Sequence, residues 1–335
     1  MTWHLGRREF LAGTTSVALS MAMGRAMAEA IPARPEAGSI KMGLEPWLGY
    51  GQWHVAAKKE YFKAAGLDDV ELVNFTQDAD LNGALASGKL DVANVATHTA
   101  MAMAAAGLPV KIVLLLDVSM TADAMLSNGE VGSVSELKGK SIAFEEGTTS
   151  DILLNYVLAK NGMSINDIKK VPMPAADAGT ALIAGRVPVA VTYEPYISIA
   201  KTQSNKVKLL ASAGEDPGLI SDVLVVREEF LKNKPGQIAA LVKVWDEALA
   251  FYRSNEKEGQ AIIAEAVGAK PEELETGFQG VRYYSLAENK KHLQGDYMKK
   301  VMPDVKAAAT KANLLTKDVN VTKLIDGRFV AAVAG

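Results

Sequence analysis

The sequence contains no cysteine. That absence excludes disulfides, a lipid-anchored cysteine, thiol catalysis and cysteine-ligated metals or clusters together. Histidine is nearly as scarce, and among His4, His54, His98 and His292 no pair has the spacing of metal ligands. No glycine-rich phosphate loop follows a strand: Gly147-Thr148-Thr149-Ser150 lacks the lysine of a P-loop. No Gly-x-Ser-x-Gly elbow occurs either. The net charge of −3 offers no basic field for nucleic acid. Past residue 28 no apolar run approaches the roughly 20 residues of a membrane span. The expectation is a chain that is not an enzyme and needs no cofactor or metal.

What is present begins with the N-terminus. Arg7-Arg8-Glu9-Phe10-Leu11 is a twin-arginine pair followed by an apolar dipeptide. A weakly apolar stretch to Met23 comes next, and Ala26-Met27-Ala28 supplies the small residues of a cleavage site. In that order they read as a twin-arginine (Tat) signal peptide over 1–28, which predicts export to the periplasm. Segment 29–38, with Pro32, Pro35 and Gly38, reads as a linker. The remainder suits two domains of roughly 150 residues. Its hydrophobic content of 49% is enough for a sizeable core without disulfides.

A faint repeat runs through this remainder. Ala84-Leu85-Ala86-Ser87-Gly88-Lys89-Leu90-Asp91-Val92-Ala93 lines up with Ala181-Leu182-Ile183-Ala184-Gly185-Arg186-Val187-Pro188-Val189-Ala190. Upstream, Phe62 to Gly66 faces Leu158 to Gly162, and Ser39 to Glu45 resembles Ser141 to Glu145. Each half reads as strands alternating with helices, the pattern of an α/β fold with doubly wound sheets. Ligands of such sheets sit at the carboxyl ends of the strands. One lobe is placed at 38–117 plus 218–335 and the other at 118–217, with two crossings near 117 and 217 as a hinge. From Glu228 the chain is predicted helical: a long helix over Pro235 to Asn255 with Trp245 in its core face, then helices over Glu256 to Val267 and Pro271 to Tyr283.

Several segments carry a family resemblance. Lys58-Lys59-Glu60-Tyr61-Phe62-Lys63-Ala64-Ala65-Gly66-Leu67 resembles the helix and Gly-Leu stop of the nitrate/sulfonate/taurine (NitT/TauT-like) periplasmic binding proteins. Ser87-Gly88-Lys89-Leu90-Asp91 is similar to that group's GxxD turn. Glu136-Leu137-Lys138-Gly139-Lys140 resembles its entry to the second lobe, and Tyr193-Glu194-Pro195-Tyr196 its aromatic-acid-proline segment. The resemblance covers about 40–230 well and the helical tail loosely. It implies the two-lobed periplasmic-binding-protein fold (type II), mixed sheets joined by a two-crossing hinge, and the solute-binding role in an ABC importer. The partners it implies are a small-molecule ligand and a membrane permease with its cytoplasmic ATPase, the receptor itself being a monomer. Glu45-Pro46-Trp47, Asn74-Phe75-Thr76, Asn94 to Thr99 and Leu114 to Ser119 resemble the narrower subgroup encoded near urea and guanidine carboxylases. The same fold hosts a thiamine-pyrimidine synthase, whose pattern includes a cysteine-rich segment absent here.

The loops at strand ends, 45–54, 94–99, 117–123, 145–151 and 192–198, contain seven acids and no lysine or arginine. The candidate ligand-binding residues are Glu45, Trp47, Tyr50, Thr97, His98, Asp117, Ser119, Glu145, Thr148, Tyr193 and Glu194. A structural role competes for His98, and core packing for Trp53. Asp123, Glu146 and Asp151 are read as helix caps or solvated acids. Glu45, Asp117 and Glu194 each follow an apolar strand directly. Carboxylates beside Trp47, Tyr50 and Tyr193 make a box for a small cation, so a guanidinium-like compound, or urea, is the expected ligand. Taurine, another sulfonate or nitrate is the competing class.

Overall fold

In the computed structural model the described residues are 31–333, so the signal peptide read at 1–28 lies outside them. The first sheet takes strands β1 (Ile40–Leu44), β2 (Val70–Asn74), β3 (Val92–Ala96), β4 (Val110–Ser119), β10 (Ser221–Arg227) and β11 (Val281–Tyr283), in the order β11-β4-β10-β3-β1-β2. The second takes β5 (Asp123–Ser127), β6 (Ser141–Phe144), β7 (Lys169–Pro172), β8 (Val189–Tyr193) and β9 (Lys208–Ser212), in the order β7-β6-β8-β5-β9. The chain passes between sheets twice, through 120–122 and 213–220. These passages touch, since Met120 O lies 2.5 Å from where a Cβ on Gly214 would stand.

The internal repeat is architectural. β1 pairs parallel with β2 and β3, and β6 pairs parallel with β7 and β8. An antiparallel strand then flanks each unit, β10 against β3 and β5 against β8. The central strands are buried on both faces: β3 and β8 are buried throughout, their polar Asn94 and Thr192 hydrogen-bonded, as strands covered by helices on both sides must be. In the second lobe Phe144, Leu153 and Leu158 fill one face and Ala178, Leu182 and Ile197 the other. Beside the first sheet, Trp53 stacks on Phe62 and tilts against Trp245, and its Nε1 donates to Asn94 Oδ1 at 2.7 Å, so both tryptophans are core. The helix Pro235–Ser254 buries Ile238, Leu241, Val242, Trp245 and Leu249 along one face. Its first N–H groups, Gly236 and Gln237, donate to the Glu36 carboxylate, which anchors the segment read as a linker.

One helix expectation is corrected. Over Pro271 to Tyr283 the chain makes a 3₁₀ turn (Pro271–Glu273), a short helix (Glu275–Gln279) and then β11. The helix stops at Gly280, and Val281 and Tyr283 alternate inward around exposed Arg282, the period of a strand against β4. Among the described residues no helix is long and apolar enough to cross a membrane.

Candidate functional site

The carboxyl ends of β1, β3 and β4 face those of β6 and β8 across a cleft. Antiparallel β10 and β5 bring their amino ends to the same place. Asp222 lies opposite Ala96, the last residue of β3, and Asp123 lies opposite Tyr193, the last residue of β8. The two aspartates occupy equivalent positions in the two halves. Glu45 and Glu145 are equivalent as well, each directly following the first strand of its unit.

A small cavity of about 30 Å³ sits between these ends, lined by Glu45, Trp47, Tyr50, Asp78, Ala96, Asp123, Thr149, Tyr193 and Asp222. One water needs roughly 10–15 Å³ on this scale, so the space suits a few heavy atoms. Four of the nine lining residues are acids and none is basic. Larger hollows lie elsewhere, one of about 820 Å³ beside Asp246 and His292, but the acids do not gather there. Among the described residues no three acids or histidines are placed to hold a metal ion.

Burial and mutual repulsion raise these acids together. Burial, then Asp78, Glu145 and Asp222, push Glu45 well above the usual carboxylate range. Burial and Glu145 push Asp78 up to about 7. Asp222 is pushed up to about 7 by burial, although the Tyr50 hydroxyl donates to it at 2.8 Å. Asp123 rises to about 6 through burial, partly offset by the Ser119 and Thr149 hydroxyls beside it. Glu45 Oε1 and Asp117 Oδ2 are buried with no donor among the described residues, a costly arrangement for two ionised acceptors. The aromatic wall crosses the cleft: Trp47 meets Tyr193 edge-on at 5.9 Å, and Tyr193 leans on Tyr196 at 5.5 Å.

Of the sequence-predicted residues, Glu45, Trp47, Tyr50 and Tyr193 are brought together on the cavity wall. Asp117 stands behind it, accepting from Trp47 Nε1 at 3.3 Å, with Ser119 further along β4. Thr97 is turned to Ser221 and Tyr297. His98 reaches across to Gly147 O at 3.3 Å, and burial pushes it down to about 4, so it is neutral at pH 7 and links the lobes. Thr148 caps the helix Thr149–Lys160 through Ser150 N. Glu145 Oε2 accepts from Ala175 N, at the start of the helix Ala175–Ile183. Glu194 accepts from Ser198 N and Oγ, capping the helix that begins at Tyr196.

The reading of Asp123 as a cap or solvated acid is corrected: it is buried and on the cavity wall. The parallel reading holds for the other two. Glu146 is exposed and paired with Lys170, and Asp151 accepts from Gly147 N and Asn155. Asp78, Asp222, Ala96 and Thr149 were missed. Asp78 opens the helix after β2, and the 75–78 loop carries the same strand-end signal as the others.

The two sheets and their cleft define a two-lobed periplasmic-binding-protein fold. The alkanesulfonate-binding protein SsuA from Xanthomonas axonopodis pv. citri, solved bound to MOPS, superimposes with a TM-score of 0.72 at 20% identity, covering 87% of this chain and 99% of that one. The periplasmic nitrate-binding protein NrtA from Synechocystis PCC 6803 gives 0.68 at 17% identity, covering 90% and 89%. The chain belongs to the NMT1/THI5-like family, whose model matches residues 50–258. A provisionally named binding protein of Brucella abortus (strain 2308) is 28% identical over 273 residues, 81% of this chain and 82% of that one.

Proposed function

We propose that this protein is the extracytoplasmic solute-binding component of an ABC importer and that it captures a small organic cation of the guanidinium type. The observation that carries the ligand is the cavity, where Glu45, Asp78, Asp123 and Asp222 converge with no lysine or arginine among the lining residues. An anion receptor needs positive charge or free helix N-termini. Here the second lobe's own acids occupy two of them: Glu145 at Ala175 and Glu194 at Ser198. A carboxylate–guanidinium hydrogen bond contributes about 1.5–3 kcal/mol, and a cation over an aromatic face about 0.5–2 kcal/mol. At their upper values, and with closure nearly cost-free, two of the first and one of the second reach the roughly −8 kcal/mol of micromolar binding. The cavity also suits a guanidinium better than a longer aminosulfonate.

Sulfonate or nitrate is the competing ligand class, favoured by the names of the structural neighbours. Calorimetry with guanidinium, urea, taurine, ethanesulfonate and nitrate decides. Guanidinium is expected to bind most tightly. Tight binding of nitrate or ethanesulfonate with none of guanidinium overturns the charge argument. The proposed role is binding rather than catalytic: His98, neutral at pH 7 through burial, has its Nε2 3.3 Å from Gly147 O and 3.4 Å from Thr99 Oγ1, a position that links the lobes. The permease and ATPase of an importer are the partners this role requires. Export by the twin-arginine route is read from Arg7 and Arg8. Replacing both with lysine is expected to leave precursor in the cytoplasm, and normal export of that variant would remove the route.

A further inference from the structure

Asp117 and Asp222 are direct cross-strand partners in the β4–β10 ladder, so their side chains leave the sheet on one face, side by side. Both are buried. Each has one oxygen held by a neutral donor from the same short segment: Trp47 Nε1 on Asp117 Oδ1 at 3.3 Å and Tyr50 Oη on Asp222 Oδ1 at 2.8 Å. Asp117 Oδ2 has no donor among the described residues, and the Asp222 carboxyl is within hydrogen-bonding reach of Asp117 once one of the two is protonated. Asp222 lines the cavity directly, while Asp117 sits one layer behind.

The groups facing the pair supply no compensating charge. Glu45 approaches from the end of β1, Asp78 from its helix and Asp123 from β5. From the other side come Tyr283 and Tyr284, at and after β11, and Tyr297. All are acids or neutral phenols at pH 7. Two adjacent buried carboxylates in such surroundings do not both ionise. They titrate as a unit, the first proton leaving easily and the second held.

We propose that the Asp117–Asp222 pair stores a proton in the unliganded protein and releases it as the cationic ligand seats, so that capture is a cation-for-proton exchange. This rests on the cationic reading of the ligand. The step balances: the O–H bond on the pair breaks, its electrons stay on the carboxylate, and the proton leaves to solvent as one positive charge enters. Burial and the Asp222 charge hold Asp117 well above the carboxylate range, and Asp222 is pushed up to about 7, in keeping with a proton retained near neutrality. The sign follows. Below pH about 7 the ligand must expel the proton, so affinity climbs about tenfold per pH unit for each proton exchanged, and flattens above.

The test is calorimetric titration of guanidinium at pH 6 in two buffers of different ionisation enthalpy, which counts protons released (about one expected from the pair, beside those that Glu45 and Asp78 give up). In D117N the pair is bridged by an amide and that count drops by about one; D222N serves if D117N does not fold. Infrared difference spectra give a second readout: the protonated-carboxyl C=O band that guanidinium diminishes in the wild type is smaller in D117N, by the share of the pair, while Glu45 and Asp78 keep theirs. Binding with no proton release, or an equal count in both foldable variants, overturns the exchange and leaves the cation reading standing. Failure of every cation to bind overturns both.

Discussion

Trp47 serves two purposes with one ring. Its edge fixes Asp117 through Nε1, and its body meets Tyr193 from the opposite lobe. Gly49 makes room for this: a methyl group there would fall inside the contact radii of Trp47 Nε1 and Asp117 Oδ2. Trp47→Ala removes the aromatic wall and the indole N–H that Asp117 Oδ1 accepts from. A loss of guanidinium affinity of at least about tenfold is expected, from the upper range of a cation–aromatic contact plus an acceptor left bare. Calorimetry reads that loss, and wild-type affinity in the variant removes Trp47 from the site. Trp47, Tyr50 and Glu45 were legible because each follows a strand at its carboxyl end, where α/β sheets bind ligands. Asp222 follows no such rule, and Asp123, though inside the 117–123 loop, reads there as a cap or solvated acid. They begin antiparallel strands, whose amino ends reach the cleft only because of how those strands insert in the sheets, and that insertion has no local signal.

At the scale of elements, the parallel units were readable from alternating apolar strands and helices with glycine stops. β11 was not. Three residues at the end of a helical run carry too little period to separate from helix, and their partner β4 lies more than 160 residues upstream. The two passages between sheets form the other informative element. Gly214 packs against Met120 O, so a side chain there must push the passages apart. Gly214→Ala is expected to bias the lobes toward separation and to weaken ligand binding while leaving each lobe folded. Small-angle scattering at saturating guanidinium reads this as a larger radius of gyration than the wild type shows. Equal compaction of the two proteins would show that the contact does not govern closure.

For the whole molecule, the acid cluster links stability to pH. Asp78 and Asp222 rise to about 7 and Asp123 to about 6 in the folded chain, against about 4 when unfolded. The folded state therefore holds protons that the unfolded state gives up. The resulting stabilisation is complete below pH about 4 and is lost as pH rises through 6 to 7. Without ligand, the melting temperature is expected to fall between pH 5 and pH 8, and D123N is expected to flatten that fall. Guanidinium should raise it more at pH 8 than at pH 5, since cation and proton neutralise the same acids. A melting temperature that is level or rises across this window in the wild type contradicts the linkage.

The order of strands in the first sheet also sets a timetable for synthesis. β10 lies between β3 and β4, so that sheet is split until the chain has passed Arg227, and its edge waits for Tyr283. The second sheet is complete by Ser212, built from consecutive strands. A growing chain thus holds a complete second sheet while its first sheet still exposes two unpaired strand edges, flanking a gap that one strand must fill. The interval between residue 119 and residue 227 is when the nascent chain has most need of a chaperone.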